Sequence, residues 1–257
     1  MSACPKSPDT PATLLVDIGN THLKWAWLEG GRISAVESGA HRPDGVVALA
    51  GYSWAHAQRP GRVVVANVAG QGLANELEQW TTAAWGIAPE FVTAAAEELG
   101  VRNAYRQPGR LGVDRWLALI GARDRTREAV CVVDCGTAIT IDMLAADGRH
   151  LGGLILPGLA MMRDALIDRT QISQAGMPES TGLLAQDTAG AIAAGGLHAA
   201  AALVERVVTT AAEQGGATPR LILTGGDARR LKAVLNPEAV IDPELVMRGL
   251  ALVAQSR

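Results

Sequence analysis

Residues 14–28 read LLVDIGNTHLKWAWL, and the rest of the chain is best understood from them. An apolar run, Leu14-Leu15-Val16, ends in Asp17. A polar turn, Gly19-Asn20-Thr21, follows, and Leu23, Trp25 and Trp27 then alternate with Lys24, Ala26 and Leu28. Successive strand side chains point to opposite faces, so the alternation predicts strand, turn, strand. A dinucleotide-binding or P-loop turn would open a helix instead. A hairpin turn can still hold phosphate: glycine lets backbone N–H groups approach oxygens, Lys24 supplies a point charge, and a cation can bridge Asp17 to the phosphates. The same residues also fit a plain β-hairpin with a solvated Asp and Lys.

A second copy shifts the balance. Residues 129–144, AVCVVDCGTAITIDML, again run an apolar strand into an aspartate, Asp134, then Gly136-Thr137 and a strand from Ile139 to Leu144. Asp17 and Asp134 are separated by 117 positions, as are Gly19 and Gly136, Gly31 and Gly148, and Arg32 and Arg149. Two β-β-β units with turn residues at one offset predict a duplicated α/β fold. Its two phosphate turns are expected to face one cleft, each gripping one side of a nucleotide. That arrangement resembles the actin and hexokinase superfamily of ribonuclease H-like ATP-binding folds. The expected halves are residues 13–127, with the first phosphate turn and a substrate loop, and residues 128–257, with the second phosphate turn and a Gly-Gly turn on the adenosine side.

A chain of 257 residues that is 48% apolar can bury a substantial core. Its net charge of −3 gives no electrostatic argument for nucleic acid. The three cysteines include no C-x-x-C pair; Cys131 and Cys135 fall on one face of a predicted strand and read as small core residues, with no disulfide framework or zinc site. Met1 to Thr10 is polar and lacks the apolar segment of a signal peptide, so a frayed tail is expected. No apolar run in the sequence suggests a membrane span. A soluble, cytoplasmic protein is the expectation.

Along the chain, a third strand is expected over 32–38, helices over 44–58 and 73–85, a strand over 62–68 and a short one at Phe91-Val92. The stretch 103–115, NAYRQPGRLGVDR, contains Pro and two Gly and reads as a loop running into a helix over 112–126. Asp114 would lie in the first turn of that helix. It could simply favour the helix dipole, with Arg115 a surface charge. Equally, its carboxylate could accept a hydroxyl proton while the Arg115 guanidinium grips a small carboxylate by a forked pair of hydrogen bonds. Further on, strands are expected over 150–156 and 219–224, and helices over 159–168, 186–213, 227–235 and 245–254. The long Ala-rich helix over 186–213 is broken by Gly190, Gly195 and Gly196. The segment 171–182 reads as polar and irregular. Thr224-Gly225-Gly226, at a strand end, would bring bare backbone near a ligand such as an adenosine, or serve as a structural turn.

Taken in order, DIGNTHLK (17–24), NAY (103–105), GVDR (112–115), DCGTA (134–138), GGLILPG (152–158) and TGGD (224–227) resemble the type III pantothenate kinases, some of which are labelled Bvg accessory factor. The resemblance runs from about Thr13 to Leu250. It implies ATP-dependent phosphorylation of pantothenate at its primary hydroxyl, the first step toward coenzyme A. It also implies a homodimer, Mg2+ with ATP, and a monovalent cation, K+ or NH4+. Asp17, Ile18, Gly19, Asn20, Thr21, His22, Leu23 and Lys24 map to the first ATP phosphate segment, and Thr137 to the second. Asp134 maps to the monovalent-cation ligand and Asp114 to the proton acceptor. Tyr105, Gly112, Val113, Asp114, Arg115 and Thr188 map to pantothenate contacts. Two other classes stay open: a regulatory protein that keeps the kinase fold, and a sugar or acetate kinase.

Overall fold

The computed structural model describes residues 11–41, 45–170 and 182–257. The expected N-terminal tail, the irregular stretch up to residue 181 and Asp44, the expected first residue of a helix, lie outside them. The chain forms two compact units. One comprises the described residues up to Ala94 with Gly109–Leu117 and Val246–Arg257; the other comprises Ala95–Pro108 and Ala118–Leu245.

The first unit contains β1 (Thr13–Ile18), β2 (His22–Glu29), β3 (Arg32–Ile33), β4 (Glu37–Ala40), α1 (Gly45–Trp54), β5 (Arg62–Asn67), α2 (Gln71–Trp85) and β6 (Glu90–Phe91). The sheet order is β3-β2-β1-β5-β6, with β4 also paired to β2. β1 is antiparallel to β2 and parallel to β5. Every residue of β1 is buried, which is why it reads as an almost uninterrupted apolar run. Four of the six tryptophans pack together here: Trp54 is fully buried, with Trp25, Trp80 and Trp85 around it at ring-centroid distances of 5.6 to 6.2 Å. Arg62 closes one edge. It donates to both Glu90 oxygens, at 2.9 and 2.8 Å, and to the Ala254 carbonyl at 2.9 Å.

The second unit contains β7 (Glu97–Glu98) and β8 (Val101–Arg102), most of α3 (Val113–Arg125), then β9 (Val130–Cys135), β10 (Ala138–Leu144), β11 (His150–Pro157), α4 (Leu159–Arg169), α5 (Thr188–Gly215), β12 (Arg220–Thr224), α6 (Ala228–Lys232) and β13 (Ala239–Ile241). α7 (Leu245–Ser256) ends the chain and lies, from Val246 onward, in the first unit. The sheet order is β11-β10-β9-β12-β13. α5 buries Gly190, Ala193, Ala194, Leu197, Ala200, Ala201, Val204 and Val208, a stripe at helical spacing that seals one side of the core. By length and composition α5 could cross a membrane, contrary to the expectation that nothing here would; the buried stripe marks it as a core helix of this unit.

The duplication is visible in the topology of each unit. In both, the third, second and first strands are followed in the sheet by two parallel strands, β5 and β6 in the first unit and β12 and β13 in the second. β1 and β9 match residue for residue at the offset of 117, Thr13 to Val130 and Ile18 to Cys135. The turns after them differ by one residue: Gly19 N–H closes on the His22 carbonyl, whereas Gly136 N–H closes on Ala138. Gly31 and Gly148 both have positive φ, 78° and 85°, so the next turn needs glycine in both copies. The third strand expected over 32–38 is split. Ser34 Oγ accepts the Trp27 N–H at 3.0 Å, and the pairing with β2 shifts by one residue between Leu28↔Ile33 and Trp25↔Glu37, a bulge that yields β3 and β4. The helix expected over 227–235 is only α6, and the long helix runs unbroken through its glycines.

Candidate active site

In the first unit, Asp17 is the next-to-last residue of β1, 8% exposed, directly opposite Lys24 of β2. Ile18 and Leu23 are core residues, so only their backbone can serve a ligand. Asn20, Thr21 and His22 are exposed and Lys24 is half-buried. The turn is held from outside its own motif: buried His41 donates Nε2–H to the Gly19 carbonyl at 2.8 Å, and its backbone N–H reaches the Thr21 carbonyl at 3.4 Å. At the end of β5, Asn67 folds the chain back by accepting the Ala69 N–H (2.9 Å) and donating to the Gly70 carbonyl (3.0 Å). Neither His41 nor Asn67 was expected. Asn followed by small residues is an Asx-turn signal, whereas a lone His after a strand carries none.

The same unit holds Gly112, Val113, Asp114 and Arg115 at the start of α3. Asp114 Oδ1 accepts the Arg115 N–H at 2.7 Å. A Cβ on Gly112 would stand 2.7 Å from that oxygen, so glycine leaves room for the carboxylate. Val113 is buried. Arg115 is not a surface charge: it is 5% exposed.

In the second unit, Asp134 is the next-to-last residue of β9, half-buried, and Gly136 and Thr137 are exposed at the turn. Bare backbone packs on this turn from two sides. Gly158 N–H donates to the Thr137 carbonyl at 3.0 Å. Gly225, at φ +88°, sits where a Cβ would lie 2.5 Å from both Asp134 Oδ1 and the Cys135 carbonyl oxygen. Asp227 N–H donates to that same carbonyl at 3.0 Å. The Thr-Gly-Gly turn is thus explained first by its fit to the Gly136-Thr137 turn; Gly226 faces open space. Burial pushes the Cys131 and Cys135 thiols up to about 12, helped by Asp142 for the first and by Asp134 and Asp227 for the second. They are inert core groups, as expected.

Tyr105 also belongs to this unit. Asn103 Oδ1 accepts the Tyr105 N–H (2.9 Å), and Asn103 Nδ2 donates to the carbonyls of Ala95 and Pro108 (3.1 and 3.2 Å). Asn103 therefore shapes the loop around Tyr105. Thr188 is exposed at the first turn of α5, whose N-cap Asp187 accepts the Gly190 N–H at 2.7 Å.

Two mixed sheets of one strand order, each with an aspartate near a strand end beside a glycine turn, define an actin- and hexokinase-like fold. Solved structures agree. A Baf family transcriptional activator from Campylobacter jejuni superimposes with a TM-score of 0.62 at 24% identity, covering 95% of this chain and 98% of its own. A 2-dehydro-3-deoxygalactonokinase from Sinorhizobium meliloti gives 0.58 at 16% identity, covering 95% and 98%. The sequence narrows the class. The model of the type III pantothenate kinase family matches residues 13–210. The type III pantothenate kinase of Nitrosococcus oceani is 46% identical over 252 residues, 94% of this chain and 93% of the relative. That of Aromatoleum aromaticum is 42% identical over 254 residues, 94% and 97%. The chain belongs to the type III pantothenate kinase family.

Proposed function

We propose that this protein transfers the γ-phosphoryl group of ATP to the primary hydroxyl of pantothenate, giving 4'-phosphopantothenate, the first step of coenzyme A biosynthesis. In a chain of this family, the observation that carries the reading is Asp114, fixed by the Arg115 N–H at 2.7 Å at the mouth of α3 beside a buried Arg115. Phosphoryl transfer asks a protein chiefly to position groups and neutralise oxygens. Backbone N–H groups of the two glycine turns, the Thr137 hydroxyl and Lys24 hold ATP phosphates. Asp114 orients the pantothenate hydroxyl and takes its proton. Arg115, Tyr105 and Thr188 bind the rest of pantothenate, with Arg115 on its carboxylate.

Among the described residues no three His, Cys, Asp or Glu side chains cluster as a metal cage. Mg2+ is proposed to arrive with ATP, held by one or two carboxylates plus the substrate's phosphates; Asp17 is the carboxylate offered. Bound Mg2+ would neutralise charge on the phosphate oxygens. Asp134, half-buried at the second glycine turn, offers carboxylate oxygen of the kind a hard cation takes. We assign the monovalent cation, K+ or NH4+, to Asp134. A carboxylate in a phosphate turn would repel ATP without a cation. Activity is therefore expected to fall in Na+-only buffer, and Asp134→Asn to lower activity together with its K+ dependence. Full turnover in Na+, unchanged by the substitution, would remove the assignment.

The functional unit is proposed to be a cytoplasmic homodimer. What supports dimerisation is an apolar surface on edge strand β11 and α4: Leu151 and Ile155 are 54% and 64% exposed, and Leu154, Met161 and Leu166 are also exposed. The activity is tested by offering the purified chain ATP with a panel of small hydroxylated acids and sugars. Pantothenate alone should be phosphorylated. Turnover of a sugar or acetate instead would move the chain to another kinase class, and no turnover of any member would favour a regulatory role.

A further inference from the structure

We propose that a buried Asp142–His150 pair positions Tyr105 and thereby sets affinity for pantothenate, although neither residue belongs to a motif of the site. The inference rests on the reading of Tyr105 as a pantothenate contact.

The pair lies inside the second unit, where neither side chain meets water: His150 Nε2 stands 2.8 Å from Asp142 Oδ1, with side-chain exposures of 0% and 3%. A carboxylate oxygen accepts, so Nε2 carries the proton. Nδ1 makes no hydrogen bond among the described residues. Strand register shows how the pair is made. β10 and β11 pair as Asp142↔Gly153 and Met143↔Gly152, then shift so that Leu144 pairs with His150. In unbroken register His150 would point to the face opposite Asp142, because strand side chains alternate. The shift turns His150 onto the face of Asp142 and leaves Leu151 extra and exposed.

Such a pair is weak evidence for stability, because desolvating its groups offsets most of their attraction. What lies against it gives it a use. The Tyr105 ring is nearly parallel to the His150 ring, 14° between planes with centroids 6.2 Å apart. The loop bearing Tyr105 is tied to the same place by its backbone: the Arg102 N–H donates to the Gly148 carbonyl at 2.8 Å, and Arg102 bridges to Arg149. Asn103 closes the loop from within. Asp142 fixes the imidazole plane, the imidazole supports one face of the Tyr105 ring, and Asn103 fixes the Tyr105 backbone. A half-buried tyrosine held this way meets a ligand without first losing rotamer freedom.

The test compares His150→Ala, Asp142→Asn and Tyr105→Ala singly, and His150→Ala with Tyr105→Ala together. His150→Ala is expected to raise KM for pantothenate about three- to tenfold, the scale of a lost aromatic pair. KM for ATP should stay the same, and trypsin should cut faster after the exposed Arg106 in the loosened loop. Asp142→Asn retains an acceptor for Nε2–H and should preserve the wild-type KM. In the Tyr105→Ala background, His150→Ala should add nothing, since both changes remove one interaction. If His150→Ala does not fold, His150→Gln, which keeps a donor but loses the ring, should give the same rise. An unchanged pantothenate KM in the folded His150 variant, or an equal rise in the Tyr105→Ala background, overturns the proposal. If Tyr105→Ala itself leaves KM unchanged in a chain that turns over pantothenate, the reading of Tyr105 fails and the proposal falls with it.

Discussion

His41 reaches the Gly19 carbonyl from 22 residues downstream, and its own backbone is bonded into the same turn. Replacing it with alanine leaves that carbonyl short of a donor and opens a gap under the turn. A single such bond is worth about 0.5–1.5 kcal/mol, so KM for ATP should rise about two- to tenfold in His41→Ala while KM for pantothenate holds. Steady-state kinetics on both substrates check this; equal changes in both would mean general loosening. Asp17, Asp134 and Asp114 were legible in the sequence as candidates because each sits in a motif whose spacing has a chemical reason. His41, Asp142 and His150 were not, because their partners are set by strand pairing and by a register shift. Arg115 was legible as a candidate clamp, but only the structure shows that it is buried.

Among the elements, β5, β6 and α7 meet at Arg62, which grips Glu90 with two hydrogen bonds and the Ala254 carbonyl with a third. Hydrogen bonding from Arg62 holds the Glu90 carboxyl below its usual range. A depressed carboxyl contributes stability above its unfolded pKa and loses it as pH falls through the folded one. Wild type should therefore melt above Glu90→Gln at neutral pH, and the gap should close as pH drops below roughly 4. Because both side chains are a third to a half exposed, the pair contributes no more than about 1 kcal/mol. Thermal unfolding of both proteins from pH 7 to pH 3 measures it; a gap that widens in acid would refute the assignment. The long strands and helices were legible from periodicity, which burial on one face or both imposes. The two-residue strands β7 and β8 were not, being too short to carry a period. The split of β3 from β4 follows from one serine hydroxyl standing in for a backbone acceptor, which no pattern announces. Gly249, inside α7, is there because the Leu117 carbonyl packs where its Cβ would be, a contact invisible in a single sequence.

For the whole molecule, the offset of 117 residues translates into two sheets of one strand order, each placing an aspartate and a glycine turn at the end of its first strand. The duplication was legible because both copies kept their turn residues. The way the compact units interleave along the chain was not, since α3 and α7 each begin in one unit and continue in the other, and helical periodicity says nothing of that. One residue of this assembly, Asp114, is proposed as the group that takes the pantothenate proton. Asp114→Asn keeps an oxygen for the Arg115 N–H and loses the basic carboxylate. Turnover of pantothenate by the purified variant, followed alongside its thermal unfolding, is the direct measurement. A loss of about 10²–10⁴-fold in kcat is expected with ATP binding intact and stability changed by less than about 1 kcal/mol. Near wild-type turnover, with any loss confined to stability, would contradict the assignment and reduce Asp114 to a helix-terminal carboxylate.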